Sequence, residues 1–162
     1  MPRPVILVVE DDEHEQEIYG RVLWYNGFDV VFARDATEGL ELARRHRPDL
    51  ALLDLMLPGV DGLTLCATLH RDPATMDMPV LVLSALPADK AAGAARKFGC
   101  LRYLEKPTSP VEVLHAVEAV IGRAPSPAPQ PGEAALPPPA WESVDAATWP
   151  GRPTAGTPSI RG

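Results

Sequence analysis

Residues 49–62 read "DLALLDLMLPGVDG", and one carboxylate in that stretch decides how the whole chain is read. Leu50, Ala51, Leu52 and Leu53 make a short, continuous apolar run, the mark of a strand covered on both faces. Asp54 follows at once, and burying an unpaired carboxylate costs several kcal/mol. Asp54 therefore either ends its strand at the surface or meets a balancing charge there. Pro58-Gly59 then turns the chain.

The same grammar recurs on both sides. "VILVV" (Val5–Val9) is another apolar, β-branched run. A helix is expected from about Glu13, with Ile18, Tyr19, Val22 and Leu23 on one face and Asn26-Gly27 as its stop. "FDVVFA" (28–33) predicts a strand. "DATE" (35–38) sets an N-cap three residues before Glu38, a capping-box pattern for a helix running to about Arg47, ahead of Pro48. Beyond the Pro58-Gly59 turn, Leu63, Leu65, Cys66 and Leu69 mark a third helix. "PVLVLSA" (79–85) predicts a fourth strand, residues 88–98 an alanine-rich helix closed by Gly99, and "LRYL" (101–104) a fifth strand. "SPVE" (109–112) joins an N-cap Ser, a Pro at the first helical position and a Glu three after the cap, opening a last helix through Ile121 that Gly122 ends. Five strands alternating with five helices predict an α/β fold, (βα)5, with a parallel sheet covered by helices on both faces.

The chain has 162 residues and a formal net charge of −7, enough length for one well-buried domain with some to spare. Residues 4–122 are the expected domain. About half of the 19 prolines fall after Ala124, and residues 123–162, rich in Pro, Ala, Ser and Gly without a sustained period, read as a disordered tail or linker with polyproline II character. Trp141 and Trp149, in "WESVDAATW", make a short docking segment the alternative for that tail. The acidic balance argues against a nucleic-acid backbone as partner. No apolar run approaches the roughly 20 residues that span a bilayer, and no secretory signal pattern opens the chain. Cys66 and Cys100 fit neither a disulfide framework nor a metal motif, so the expectation is a cytoplasmic protein with reduced, buried thiols. His14, His46, His70 and His115 are scattered without metal-ligand spacing, and neither a G-x-x-x-x-G-K-[ST] nor a G-x-G-x-x-G loop is present.

In doubly wound sheets ligands bind beyond the carboxyl ends of the strands, so the residues there are the candidate site. They are Glu10, Asp11 and Asp12 after the first strand, Asp54 after the third, Ser84 at the end of the fourth, and Lys106-Pro107 after the fifth. Carboxylates gathered closely repel one another, which calls for a raised pKa or a bound cation. Mg²⁺ suits such oxygen donors. The plainer reading of "EDDE" is a charged helix N-terminus. Asp54, held rigidly at the end of an apolar strand, can act as a nucleophile on phosphorus. Lys106 and Ser84 would then engage phosphoryl oxygens, and phosphoryl transfer needs mainly positioning and charge neutralisation.

"ILVVEDD", "PDLALLDLMLPGVDG", "PVLVLSA" and "YLEKP", in that order and spacing, resemble the receiver domain of bacterial two-component response regulators, chemotaxis-regulator-like and single-domain. The resemblance covers residues 4–122. It implies a flavodoxin-like fold with strand order 2-1-3-4-5, and Asp54 as acceptor of a phosphoryl group from a histidine kinase or phosphotransfer protein. It also implies Mg²⁺ held by Glu10, Asp11 and Asp54 with the backbone carbonyl of Met56, Asp11 being the more direct ligand. Lys106 would pair the phosphate, Ser84 and Tyr103 would act as hydroxyl and aromatic switch, and the Lys106-Pro107 bond would be cis. Asp12 is expected to start a helix. In that reading the domain catalyses its own phosphorylation and dephosphorylation and is otherwise no enzyme.

Three features depart from the family pattern: Glu10 stands for the usual Asp, Thr108 for an aromatic or apolar residue after "KP", and "GCLRYL" (99–104) lacks the acidic pair used in one dimer face. A monomer or weak dimer is therefore expected. It would signal by contact with an unknown downstream protein through the face of helix four, strand five and helix five. The alternatives are a receiver-like interaction module that is not phosphorylated, and the N-terminal fragment of a longer regulator. An aspartate-dependent phosphohydrolase would need a second Asp two residues after the nucleophile, where Met56 stands.

Overall fold

The computed structural model describes residues 3–122, so the readings made for residues 123–162, Trp141 and Trp149 included, lie outside the described residues. Strands and helices alternate as β1 (Val5–Val9), α1 (Glu13–Tyr25), β2 (Asp29–Ala33), α2 (Ala36–His46), β3 (Leu50–Leu53), α3 (Gly62–Arg71), β4 (Val80–Ser84), α4 (Ala88–Lys97), β5 (Arg102–Glu105) and α5 (Pro110–Ile121). All strand pairs are parallel, in the order β2-β1-β3-β4-β5, the flavodoxin-like order that the resemblance implied.

The apolar strands are buried on both faces, and their period of two sorts them between two cores. Ile6, Val8, Leu50, Leu52, Leu81 and Leu83 pack with Tyr19 and Leu23 of α1 and Val113, Leu114 and Val117 of α5. Leu7, Val9, Ala51, Leu53, Val80 and Val82 pack with Ala36 and Ala43 of α2, Leu65, Cys66 and Leu69 of α3, and Ala91 and Ala95 of α4. Continuous "LALL" thus serves both layers at once. Among the described residues no helix is long and apolar enough to cross a membrane.

Local signals account for most element ends. Ser109 and Glu112 complete a reciprocal capping box, with Glu112 N donating to Ser109 Oγ at 3.1 Å and Ser109 N to Glu112 Oε2 at 3.0 Å. The capping box expected at Asp35 is only half made. Asp35 accepts from Glu38 N at 2.8 Å, but the Glu38 carboxylate reaches past the cap to Arg34 N at 3.4 Å. α2 stops at His46, one residue earlier than expected, because Pro48 bars its predecessor from the right-handed helical region and Arg47 turns left-handed at φ 45°. β5 begins at Arg102, not Leu101. The register pairs Arg102 with Leu81, and Leu101 stays 63% exposed on this edge strand. α3 starts against the end of β3, where a Cβ on Gly62 would lie 2.4 Å from the Asp54 carbonyl oxygen, so only glycine permits the approach.

Candidate functional site

The parallel ladder continues one residue beyond three strands. Glu10 N donates to Ala33 O at 2.9 Å, Asp54 N to Val9 O at 3.0 Å and Lys106 N to Ser84 O at 2.7 Å. Counting by twos, Glu10 follows Ile6 and Val8, Asp54 follows Leu50 and Leu52, and Lys106 follows Leu104, all of the α1/α5 side. Their side chains meet there. Lys106 Nζ donates to Glu10 Oε2 at 2.8 Å, to Asp54 Oδ2 at 3.3 Å and to Glu15 Oε2. The balancing charge that Asp54 required is thus Lys106, fifty-two positions away in sequence. The Lys106-Pro107 bond is cis.

Glu10 and Asp54 are nearly inaccessible, at 3% and 7% exposure. Burial pushes the Glu10 carboxyl up to about 8; Lys106 opposes that rise, while Glu15 and the Asp54 charge add to it. For Lys106, burial favours loss of the proton, but hydrogen bonds to Glu10 and Glu15 and the charge of Asp54 outweigh it and raise its pKa. Asp54 is further fixed by Met56 N, which donates to its Oδ1 at 2.9 Å. The Met56 residue itself is 56% exposed at the rim.

Glu15 is the residue that sequence reasoning missed. Asp12 caps α1, as expected, and its Oδ1 accepts from Glu15 N at 3.0 Å, which sets the first turn. Glu15 lies one turn before Ile18 and Tyr19, so extending that apolar face toward the sheet edge points Glu15 into the site. Asp11 is exposed and lies outside the carboxylate cluster, and His14 is exposed.

Ser84 has the parity of Val80 and Val82, toward the α2–α4 side. It is fully buried, and its Oγ accepts from Leu86 N at 3.2 Å. Tyr103, partly buried against the same core, donates from its hydroxyl to Leu86 O at 2.7 Å. Burial raises the pKa of that hydroxyl. One residue, Leu86, thus holds both expected switch side chains. Thr108 donates to Glu112 Oε2 at 2.7 Å, a local brace for α5.

Glu10, Glu15 and Asp54 each bring a carboxylate oxygen within 4.8 Å of the others. Three carboxylates around one ammonium leave an excess of negative charge on hard oxygen donors. That donor set fits a hard divalent cation such as Mg²⁺.

Residues 6–118 match the response regulator receiver domain family. The chain is 43% identical over 125 residues to the DNA-binding dual master transcriptional regulator RpaA of Synechocystis, an alignment that covers 76% of this chain and 50% of that protein. It is 32% identical to the polar-differentiation response regulator DivK of Brucella anthropi, over 76% of this chain and the whole of that one. The structure superposes on the Francisella response regulator 1452 receiver domain with a TM-score of 0.68 and 30% identity, covering 74% of this chain and 97% of that chain. The chain therefore spans about half the length of RpaA but the full length of DivK. Family match, identity to the relatives and the likeness of fold agree, and the chain belongs to the response regulator receiver-domain family.

Proposed function

We propose that Asp54 accepts a phosphoryl group from the phosphohistidine of a histidine kinase or phosphotransfer protein. The observation that carries this reading is the Asp54 carboxylate itself: buried, oriented by Met56 N and held 3.3 Å from the Lys106 ammonium at the carboxyl edge of the sheet. A carboxylate oxygen attacks phosphorus, the P–N bond of the donor breaks, and the imidazole leaves with the electron pair, giving an aspartyl phosphate. Lys106 is placed to neutralise a phosphoryl oxygen once it exchanges a carboxylate partner for it. Glu10 and Asp54 would be donors for Mg²⁺, with Asp11 and the Met56 carbonyl as the further ligands that the family pattern supplies, while Glu15 holds the Lys106 ammonium. Bound there, the ion neutralises charge on the transferring group.

Ser84 and Tyr103 form the relay. In this reading the Ser84 hydroxyl leaves Leu86 N for a phosphoryl oxygen, and Tyr103, tied to the same residue, turns inward and changes the α4–β5–α5 face. The output is contact with a downstream protein by a cytoplasmic monomer or weak dimer, without direct nucleic-acid binding. The test is Asp54→Asn with a phosphodonor and Mg²⁺. Wild type takes up a hydroxylamine-sensitive phosphoryl group, and the variant takes up none. Labelling of the variant at the wild-type rate overturns the assignment.

A further inference from the structure

On the opposite face of the sheet from Lys106, Cys66 of α3 and Cys100, just ahead of β5, bring their sulfurs to 2.6 Å. Both are free thiols, 0% and 5% exposed, and the chain contains no other cysteine. A covalent S–S bond is about 2.0 Å long, so the side chains need to close only about 0.6 Å. The surroundings fix both partners. His70 Nδ1 is 2.8 Å from the Cys66 carbonyl oxygen and 3.7 Å from Cys66 Sγ, and Cys66 Sγ also lies 3.4 Å from Phe98 O. Gly99, at φ 98°, lets the backbone pass the His70 ring so closely that a Cβ there would lie 2.9 Å from it. That passage delivers Cys100 to Cys66.

We propose that Cys66 and Cys100 are a peroxide-sensitive dithiol that closes to an intramolecular disulfide, tying α3 to the turn between α4 and β5. The two sulfurs are unequal. The hydrogen bond from Cys100 draws the Cys66 thiol down to about 7, with burial opposing and His70 assisting, while the Cys100 thiol is held up by the same contact. With His70 Nδ1 3.7 Å from its sulfur, Cys66 is the attacking thiol of the pair. Its thiolate attacks one oxygen of hydrogen peroxide, the O–O bond breaks, and the departing hydroxide takes up a proton to leave as water, giving a Cys66 sulfenic acid. The Cys100 sulfur then attacks the Cys66 sulfur, the S–O bond breaks, and hydroxide leaves with the Cys100 proton as a second water. Two thiols lose two electrons, and one peroxide is reduced to two waters. Closure does not depend on phosphoryl transfer, because Asp54 and Lys106 face the other core.

The full chain is treated under native conditions with hydrogen peroxide, denatured, alkylated and weighed. Expected are a mass lower by two hydrogen atoms, no alkylated cysteine, a linked peptide pair carrying Cys66 and Cys100, and full reversal by dithiothreitol. A chain that stays fully alkylatable, gains oxygen on separate sulfurs or links only to a second chain overturns the proposal. Cys100→Ser, which removes the resolving thiol, leaves a Cys66 sulfenic acid that dimedone captures. Dimedone capture in wild type equal to that in the variant also overturns it, since a working resolving thiol would empty that state.

Discussion

Replacing Glu10 by Gln in the metal-free chain removes a pH-dependent loss of stability that the carboxylate cluster builds in. The Glu10 carboxyl titrates near 4.5 when free and at about 8 in the fold. Between those values the folded chain holds a proton that the unfolded chain has released. The number of protons bound is then larger in the native state, so unfolding free energy falls as pH rises. Glu10 thus contributes nothing adverse below 4.5, and its adverse effect is complete above 8. One fully coupled proton gives a slope of at most about 1.4 kcal/mol per pH unit, or about 3 kcal/mol from pH 5 to 7. Solvent screening at the rim of the site reduces the loss to something on the order of 2 kcal/mol. The amide that Glu10→Gln introduces keeps the shape of the side chain and cannot ionise. Urea unfolding in EDTA at pH 5, 6 and 7 therefore gives a midpoint that falls with pH in wild type and stays nearly level in the variant, at unchanged m-value. Parallel pH profiles for the two proteins would refute the reasoning.

Glu15→Gln frees Lys106 from one charged partner, so beryllium fluoride, a phosphoryl mimic, binds in the presence of Mg²⁺ roughly twofold to fivefold more tightly, the scale of a part-exposed ion pair. Equal affinities measured by intrinsic fluorescence would show that Glu15 does not hold Lys106 back. Gly62→Ala forces a Cβ to within 2.4 Å of the Asp54 carbonyl oxygen. It lowers stability by about 2 kcal/mol or more, read as a drop in Tm, and an unchanged Tm would contradict the close approach of α3. Met56 and Leu86 are exposed at the site's rim, at 56% and 37%, and neither side chain can orient a hydrolytic water. Met56→Asn supplies an amide there and shortens the lifetime of the aspartyl phosphate, measured by loss of radiolabel after the donor is removed. An unaltered decay counts against the idea.

The strand ends were legible in the sequence because the period of two is rigid. Once "VILVV", "LALL" and "VLVLS" are strands, the residues that follow them share an edge, and Glu10, Asp54 and Ser84 are located without any coordinates. Glu15 escaped because its placement depends on the phase of α1, which Asp12 sets through a cap hydrogen bond of 3.0 Å; a rotation of one residue would send its carboxylate to solvent. Asp11, ahead of that cap, follows Glu10 at the strand-to-helix turn and is exposed, while Glu10 is buried. At β5 the apolar run "LRYL" suggested a start one residue early, because hydropathy marks what is apolar and the register with β4 marks what is paired. The Cys66–Cys100 contact was invisible for a different reason. It joins residues 34 apart through the left-handed Gly99, and no spacing rule encodes that approach.

Under the proposed phosphoryl transfer, the parity of the strands would let one site take up a charge and report it elsewhere. Glu10, Asp54 and Lys106 project toward the α1/α5 core, whereas Ser84 and Tyr103 project toward the α2–α4 core and are joined through Leu86. In the proposed reading, a phosphoryl group at Asp54 would bring more oxygens than Lys106, already shared among three carboxyl groups, can pair. Ser84, at the end of the strand that pairs with β3, would then be the donor recruited from across the edge. Its release of Leu86 N would free the residue whose carbonyl oxygen accepts from Tyr103. In that reading the excess of carboxyl groups over ammonium is what would make the relay responsive: a site with a second lysine would pair the new oxygens without moving Ser84 at all.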